Sequence, residues 1–471
     1  MKLSENPKFL VEQIQKKSDL LQHNRTLFDI YEGDLMTYVL QDLAQQLSLN
    51  SFNQIKHRVV PINVLKRVIE KLSKIYAKSP EREYMPEDDR TKSFLQFYWD
   101  SMQPDTVMGM SNEFFNLFKN TCVEPYLDRG FPKLRTIPSD RFLVHSDDPV
   151  DPMRVTHWIK SMGKYGDKKI FYQYSDEEFL ITDENGNIMR ELMFNAGNPE
   201  GINIYGAIPM VYINKSRHEL IPPIDTDTLA MTKIFPVLMS DLNYAIMFQS
   251  FSTIYAIDAD MTNMVQAPNA IWNIKSDAQS DKTPQIGTIK PSVDITEVMG
   301  YIQMQLAFWL NTRNIRPGTI GALTKDNFAS GISKMVDEMD TSEDRQKQVQ
   351  YFKEAEMKLW DLVFNFMHPV WEREPDWMGP RGLSPVKSVT ICFEDQTAMQ
   401  DSSKVLDDTI KALNAGLITK MDAVKAVNPE IPEDEIDSYM TELEDENSVE
   451  VPNGGQEIYP AGDSNTPPVQ A

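Results

Sequence analysis

Apolar residues recur at helical spacing along the first quarter of the chain. In Ile62–Lys78 the apolar positions fall three and four residues apart with basic residues between them, a pattern typical of an amphipathic helix. Pro61 precedes this segment and Pro80 follows it, where a helix tolerates proline. The apolar stripe consists of Val64, Leu65, Val68, Ile69, Leu72, Ile75 and Tyr76. We therefore predict that residues 1–120 are helical.

Residues 121–225 change to short runs of β-branched and aromatic residues separated by turn sequences. Asn185-Gly186, which lies between two such runs, is a strong hairpin signal. The predicted strands are Leu134–Ile137, Arg141–His145, Val155–Lys160, Lys169–Tyr174, Glu178–Thr182, Ile188–Phe194 and Ile208–Asn214. We predict an antiparallel β subdomain here, and therefore an α+β fold class.

The pattern becomes helical again from residue 226. Thr226–Ile257 predicts a long helix with a kink at Pro236, and Ile295–Asn311 predicts a second helix. Residues 258–293 between them form a small insertion with turn sequences, and its predicted strands are Ala270–Lys275 and Gln285–Ile289. Two long helices that bracket a small insertion would form a hairpin-like projection.

The last third of the chain predicts one very long helix, Ser330–His368, which Pro369 stops. Its middle, Asp340–Gln348, is wholly polar, so we expect the helix to bend or leave the core there. Val386–Phe393 predicts a strand. Further short helices are predicted at Asp401–Asn414, Lys420–Val427 and Glu433–Leu443.

The charge distribution excludes two classes of protein. With 47 basic and 70 acidic residues the formal net charge is -23, which excludes a simple nucleic-acid coat or a polybasic membrane-surface protein. Residues 393–471 hold 18 acidic and 4 basic residues, whereas residues 51–80 hold 7 basic residues and 1 acidic residue. The basic helix at 62–78 suits a nucleic-acid contact, but at this net charge we favour a solvated face or an acidic neighbour in an oligomer.

Catalytic and metal-binding motifs are missing from the sequence. It contains no GxxxxGK[ST], HExxH, GxSxG or CxxC, and no two histidines are four residues apart. Cys122 and Cys392 are too few for a disulfide framework or a four-thiolate zinc site. The acidic groups at 147–151 and 183–187 are more typical of turns than of metal sites. We therefore expect no enzymatic activity, no cofactor and no metal.

The uncharged run Leu242–Ile257 is the most membrane-like segment. Its 16 residues fall short of the roughly 20 that a spanning helix needs, and the N-terminus carries no apolar secretory signal. We therefore expect no membrane partner, and the low cysteine content favours a reducing cytoplasm. A helix that is uncharged on all sides suits burial between like subunits, which makes Ala245 and Phe248 candidate residues of a subunit interface.

Four segments, taken in order, resemble the portal (head–tail connector) proteins of tailed bacteriophages. They are PINVLKRVIEKLSKIYAKSP at 61–80, IPMVYINKS at 208–216, FASGISKMVDEM at 328–339 and ALNAGLITKMDAVKAVNPEIPEDE at 412–435. The first is similar to the family's amphipathic helix that closes on a proline. The third is similar to its Ser-Gly step from the tunnel loop into a long helix. The resemblance covers residues 60–445 and rests on the order of these patterns.

The resemblance implies a mainly helical α+β subunit divided into the parts of a portal protein. The wing comprises 1–225, helical over 1–120 and β-rich over 121–225, and also 331–396, which carries the long helix. The stem helices are 226–257 and 294–313, and the small α/β clip between them is 258–293. The remaining parts are the tunnel loop (314–330), the helical crown (397–446) and a flexible tail (447–471).

The resemblance further implies a homo-oligomeric ring of about twelve subunits at one capsid vertex of a virion assembled in the host cytoplasm. Double-stranded DNA would pass through the channel during genome packaging and ejection. The implied partners are terminase, a head–tail adaptor or tail protein, and the major capsid and scaffolding proteins. A channel that passes DNA should hold it weakly, and the acidic residues in 401–446 fit that requirement.

Residues near the implied constriction are the candidate DNA contacts. In the tunnel loop they are Thr319, Thr324, Lys325, Asp326 and Asn327, and beside it the basic residues Arg313 and Arg316. Lys325 would touch the DNA backbone or pair with Asp326 of a neighbouring subunit, and intersubunit salt bridges are equally open for the two arginines. The candidate clip contacts with adjacent clips and with terminase or a tail-side protein are Met261, Met264, Ile271 and Trp272.

Two other function classes stay open. Another structural virion component, such as a head-completion or minor capsid protein, would lack a closed ring with a central channel. A nucleic-acid-processing enzyme would need clustered carboxylates or a phosphate-binding loop, and the sequence contains neither motif.

Overall fold

The computed structural model describes residues 1–250, 253–257, 285–289, 295–315, 331–393, 409–413, 415–416 and 418–427. The chain divides into two compact units, Met1–Gln396 and Thr397–Ala471. The first unit combines helices with antiparallel sheets, so the fold is α+β.

Helices fill most of the first 120 residues, as the apolar spacing predicts. They are α1 (Phe9–Lys16), α2 (Ser18–Glu32), α3 (Leu35–Gln46), α4 (Leu49–Ile55), α5 (Val64–Leu72), α6 (Asp89–Met102) and α7 (Pro104–Phe118). Helix α5 is shorter than the predicted Ile62–Lys78, and only a 3₁₀ turn follows it at Ile75–Ala77. The helix ends at Ser73, whose backbone is not helical (φ -101°, ψ 60°) and whose hydroxyl donates to the Asn112 carbonyl oxygen, 3.3 Å away on α7.

Strand β1 (Glu81–Met85) was not predicted, because its sequence EREYM is mostly polar. It pairs in antiparallel fashion with β11 (Ser388–Cys392), which lies inside the predicted strand Val386–Phe393. The pairing joins the N-terminal helical region to the end of the first unit.

Two antiparallel sheets form the β subdomain, one in the order β3-β2-β8 and one in the order β4-β5-β6-β7. The strands are β2 (Asn120–Asp128), β3 (Phe131–Ile137), β4 (Phe142–His145), β5 (His157–Tyr165), β6 (Lys168–Tyr174), β7 (Phe179–Asp183) and β8 (Val211–Asn214). Strand β2 was missed because Glu124 and Pro125 interrupt its apolar run. Pro125 is tolerated since β8 pairs only with Asn120, Thr121, Cys122 and Val123 of β2.

The predicted strand Ile188–Phe194 is wrong, because the chain forms helix α8 (Arg190–Asn195) there. Only Ile188 makes a strand-like bridge, to Thr182 across the Asn-Gly turn. The following Arg-Glu-Leu-Met residues are good helix formers. Gly197, at a φ of 70°, then closes the helix and donates its N–H to the Phe194 carbonyl oxygen.

The segment 226–257 is not one helix. Helix α9 (Thr226–Ser250) ends seven residues early, and β9 (Thr253–Ile257) pairs in antiparallel fashion with β10 (Gln285–Ile289). Threonine, isoleucine and tyrosine in β9 favour a strand once a partner strand is present. Strand β10 was predicted, whereas the predicted strand Ala270–Lys275 lies outside the described residues. Helix α10 (Ile295–Asn311) follows.

The predicted long helix forms as α11 (Gly331–Asp361), which continues through a π-helical turn, Leu362–Met367, into α12 (His368–Trp371). Pro369 therefore does not stop it, since it lies in the first turn of α12, where a helix tolerates proline. The polar middle of the helix, Asp340–Gln348, does not leave the core at the C-terminal end of that segment. Gln348 is buried there and accepts hydrogen bonds from the side-chain amides of Asn112 and Asn116, both at 3.0 Å.

The main core packs around α11. Phe352 and Trp360 are fully buried, and Trp360 lies 4.7 Å from Trp99 of α6 between ring centroids. Phe352 contacts Phe115 of α7 edge to face. In the second unit, α13 (Lys420–Val427) forms as predicted, and residues 409–413 of the predicted helix Asp401–Asn414 are helical.

Candidate assembly surface

Helices α9 and α10 form an antiparallel pair. The strands β9 and β10 lie beyond one end of the pair, and at the other end the residues after α10 meet the start of α9. At about 1.5 Å per residue, the 25 residues of α9 span roughly 37 Å. Phe235 and Leu242 of α9 pack with Ile302, Leu306 and Trp309 of α10, and α5 covers this cluster on one side.

Arg313 fastens the two helices together. Its guanidinium donates hydrogen bonds to Asp227 at 3.0 Å, to Asp225 at 3.4 Å and to the Thr228 hydroxyl. It also lies over the Trp309 ring, 5.2 Å from the centroid. Asp225 caps α9 by accepting the Thr228 N–H at 3.3 Å. This predicted channel residue is thus bound within its own chain.

The pKa values of the two carboxyl groups at this junction are shifted in opposite directions. Burial alone would raise the pKa of Asp225, but the hydrogen bond with Asp227 and the charges of Arg313 and Lys119 lower it below its usual value. The same hydrogen bond, together with burial, raises the pKa of Asp227. Of the two carboxyl groups, Asp225 is the one whose ionised form folding stabilises, and both carboxylates lie within hydrogen-bond distance of Arg313.

We expect Asp225→Asn to lower the free energy of unfolding at pH 7 by about 1.5–3 kcal/mol, the range for a hydrogen bond to a charged group. Because folding lowers the pKa of Asp225, its contribution is complete above the unfolded value of about 3.9 and is lost as the pH falls through the folded value. Urea unfolding from pH 7 to pH 3 should therefore show a difference between variant and wild type that is constant down to about pH 4 and begins to narrow below it. A difference that stays constant over this range would contradict the assignment.

The outer face of α10 is apolar and exposed. Tyr301, Met304 and Phe308 are 51%, 47% and 64% exposed, and their spacing of three and four residues puts them on one side of the helix. On α9, Ile234 is 44% exposed and Ala245 is half-buried, and their spacing of 11 residues also gives them a common face. Exposed apolar patches of this kind are typical of interaction surfaces.

The structure describes only part of the predicted site. Ala245 lies on the helix pair, and the side chain of Phe248 lies outside the described part of α9. The other predicted residues also lie outside the described residues and stay predictions: Arg316, the tunnel-loop residues Thr319, Thr324, Lys325, Asp326 and Asn327, and the clip residues Met261, Met264, Ile271 and Trp272. The sequence reasoning missed Tyr301, Met304 and Phe308, although apolar residues on all sides of Ile295–Asn311 could have revealed them.

The acidic groups flagged in the sequence serve turns. Asp183 accepts the backbone N–H groups of Asn185 and Asn187, and Asp148 accepts those of Val150 and Asp151. Across the residues that the structure describes, no three His, Cys, Asp or Glu side chains are grouped so that they could hold a metal ion. No helix within those residues is long and apolar enough to cross a membrane.

No family model and no curated protein matches the chain. Two solved structures that contain a chain similar to this one are the virion of a native gene transfer agent particle and the neck of an empty gene transfer agent particle computed with C6 symmetry. The virion chain is 10% identical, with coverage of 81% of this chain and 94% of that chain and a TM-score of 0.40. The neck chain is 11% identical, with coverage of 77% and 88% and a TM-score of 0.38. Similarity at this level does not assign a role.

Proposed function

We propose that this chain is a structural component of a phage-type particle and, more specifically, a portal protein. In this role it forms a ring at the capsid vertex through which DNA enters and leaves, and it carries out no catalysis itself. The observation that carries the proposal is the α9–α10 pair, whose outer side chains Tyr301, Met304 and Phe308 are apolar and exposed.

The helix pair has the properties that a ring stem requires. Arg313 ties its two helices into one rigid element, and α5 and α3 support it from the body of the subunit. Its exposed apolar side chains are removed from water when the next subunit covers them. Repetition of such a contact around an axis closes a ring. The antiparallel ribbon β9–β10 then extends from one end of the stem, where the portal resemblance expects the clip.

The order of elements also supports the proposal. An α+β body precedes a long helix, a β ribbon and a second helix, and the very long helix α11 follows. All four portal-like segments contain described elements: α5 in 61–80, β8 in 208–216, the start of α11 in 328–339 and α13 in 412–435. A head-completion or minor capsid protein is the second candidate, because its subunits also bury apolar surface against neighbours.

Negative-stain imaging of the purified full chain distinguishes these roles. We expect rings with a central hole wide enough for duplex DNA, and a mass by light scattering of about twelve subunits. Particles without a hole, or a protein that stays monomeric at micromolar concentration, would remove the portal role and leave the minor structural component.

A further inference from the structure

A basic cleft lies in the β subdomain, away from the helix pair. Its volume is about 660 Å³, and residues of α2, β3, β5 and β6 line it together with the turn before β4. The charged side chains in its wall are Arg25, Arg135, Arg141, Lys160, Lys169 and a single carboxylate, Asp140. In a chain with a net charge of -23, such a cleft selects a negatively charged ligand.

Two of these basic side chains are only weakly neutralised by carboxylates of the described residues. Glu124 lies beneath the cleft and binds Lys160 and Arg135, the latter at 2.7 Å. Arg25 reaches Asp140 at 3.3 Å. Arg141 is half-exposed and no closer than 3.9 Å to Asp140, and no carboxylate among the described residues lies within ion-pair distance of the Lys169 ammonium. Arg141 and Lys169 thus provide the positive charge for a ligand.

One wall of the cleft is the open edge of a strand. Strand β4 covers only His157–Lys160 of β5, and the last hydrogen bond on that side runs from the Ser161 N–H to the Arg141 carbonyl oxygen at 2.7 Å. Beyond it, β5 pairs with β6 on its other side but has no strand neighbour on the β4 side within the described residues. Met162 and Gly163 on this edge line the cleft. Open edges of this kind accept an added strand.

The open strand edge indicates which polyanion fits. A peptide brings backbone N–H and C=O groups that can continue the ladder of β5. A phosphate backbone carries no N–H groups for the free carbonyl oxygens of the edge. Asp140 is only 3% exposed and is held by Arg25 at 3.3 Å, so it opposes an acidic ligand less than a carboxylate on the surface would.

We propose that this cleft binds an extended, acidic peptide segment of a partner protein. The segment adds a strand to the open edge of β5 and sets its carboxylates on Arg141 and Lys169. This inference does not depend on the ring, because every residue that carries it belongs to one subunit.

The probe is a fluorescein-labelled eight-residue peptide of alternating Glu and Thr, titrated with the full chain at low salt and followed by fluorescence anisotropy. We expect saturable binding, and we expect Arg141→Glu and Lys169→Glu each to weaken it by about tenfold or more, the effect of a lost charge pair of about 1.4 kcal/mol. Lys92→Glu makes the same charge change at an exposed site on α6 and should leave the affinity unchanged.

Two further probes separate strand addition from plain charge attraction. The same peptide with alternate backbone nitrogens methylated keeps its charge but cannot form the ladder, so it should bind at least about tenfold more weakly. Absence of saturable binding, equal affinity of the methylated peptide, or equal affinity of the Arg141→Glu variant would each overturn the proposal. Tighter binding of a 20-nucleotide DNA with the same dependence on Arg141 would replace the peptide with nucleic acid and overturn it as well.

Discussion

Replacement of Glu356 by alanine is expected to lower the free energy of unfolding by about 3–5 kcal/mol, the cost of leaving one member of a buried ion pair without its partner. Glu356 on α11 is fully buried and accepts hydrogen bonds from Arg82 at 2.8 and 3.0 Å and from the Tyr76 hydroxyl at 2.6 Å. Arg82 on β1 is itself 4% exposed and lies over the Trp99 ring. Without Glu356, the guanidinium keeps only Asp105 as an anionic partner.

The double variant Arg82→Met with Glu356→Leu separates lost pairing from lost packing. Because it removes both buried charges, we expect it to recover at least about half of the stability that Glu356→Ala loses. Glu354→Ala, an exposed position on the same helix, should change stability by no more than about 0.5 kcal/mol. Urea unfolding followed by tryptophan fluorescence measures all three. If Glu356→Ala were as mild as Glu354→Ala, the pair would have no part in joining β1 to α11.

Local patterns predicted the elements whose side chains carry their own signal. The apolar stripe of α5 and the β-branched runs of β4 to β7 formed where the sequence placed them. Elements that depend on distant partners were missed. Strand β1 is polar and exists because β11, about 300 residues later, pairs with it. Likewise, Thr253–Ile257 continued a helical, uncharged run and became a strand only beside Gln285–Ile289.

In the candidate site, too, the features that depend on one segment could be predicted, and those that depend on distant partners could not. The uncharged run after Leu242 predicted a helix, and α9 continues to Ser250, because a helical run is a property of one segment. Its burial between subunits stays a prediction. The partners of Arg313 could not be predicted, since Asp225 and Asp227 lie 88 and 86 residues earlier in the chain. The exposure of Phe308 also depends on packing, because the sequence does not show which apolar residues of α10 face α9.

Phe308→Glu is expected to abolish ring assembly while the subunit stays folded. Phe308 is 64% exposed in the single chain, so a glutamate there stays solvated in the monomer and costs little stability. In the proposed ring the next subunit covers this position, and an unpaired charge buried in that contact opposes association by several kcal/mol. Ala245→Glu and Phe248→Glu on α9 should act in the same direction.

Gln303→Glu is the matched control, because Gln303 is exposed on α10 but five residues from Phe308, on the opposite side of the helix. Light scattering after size exclusion should give rings for the wild type and for Gln303→Glu, and monomers for Phe308→Glu. The wild type is diluted until its rings dissociate into monomers. The circular dichroism spectrum and the unfolding midpoint of Phe308→Glu should then match those of the wild-type monomer. Rings of normal mass from Phe308→Glu would mean that the outer face of α10 is not the surface through which subunits associate.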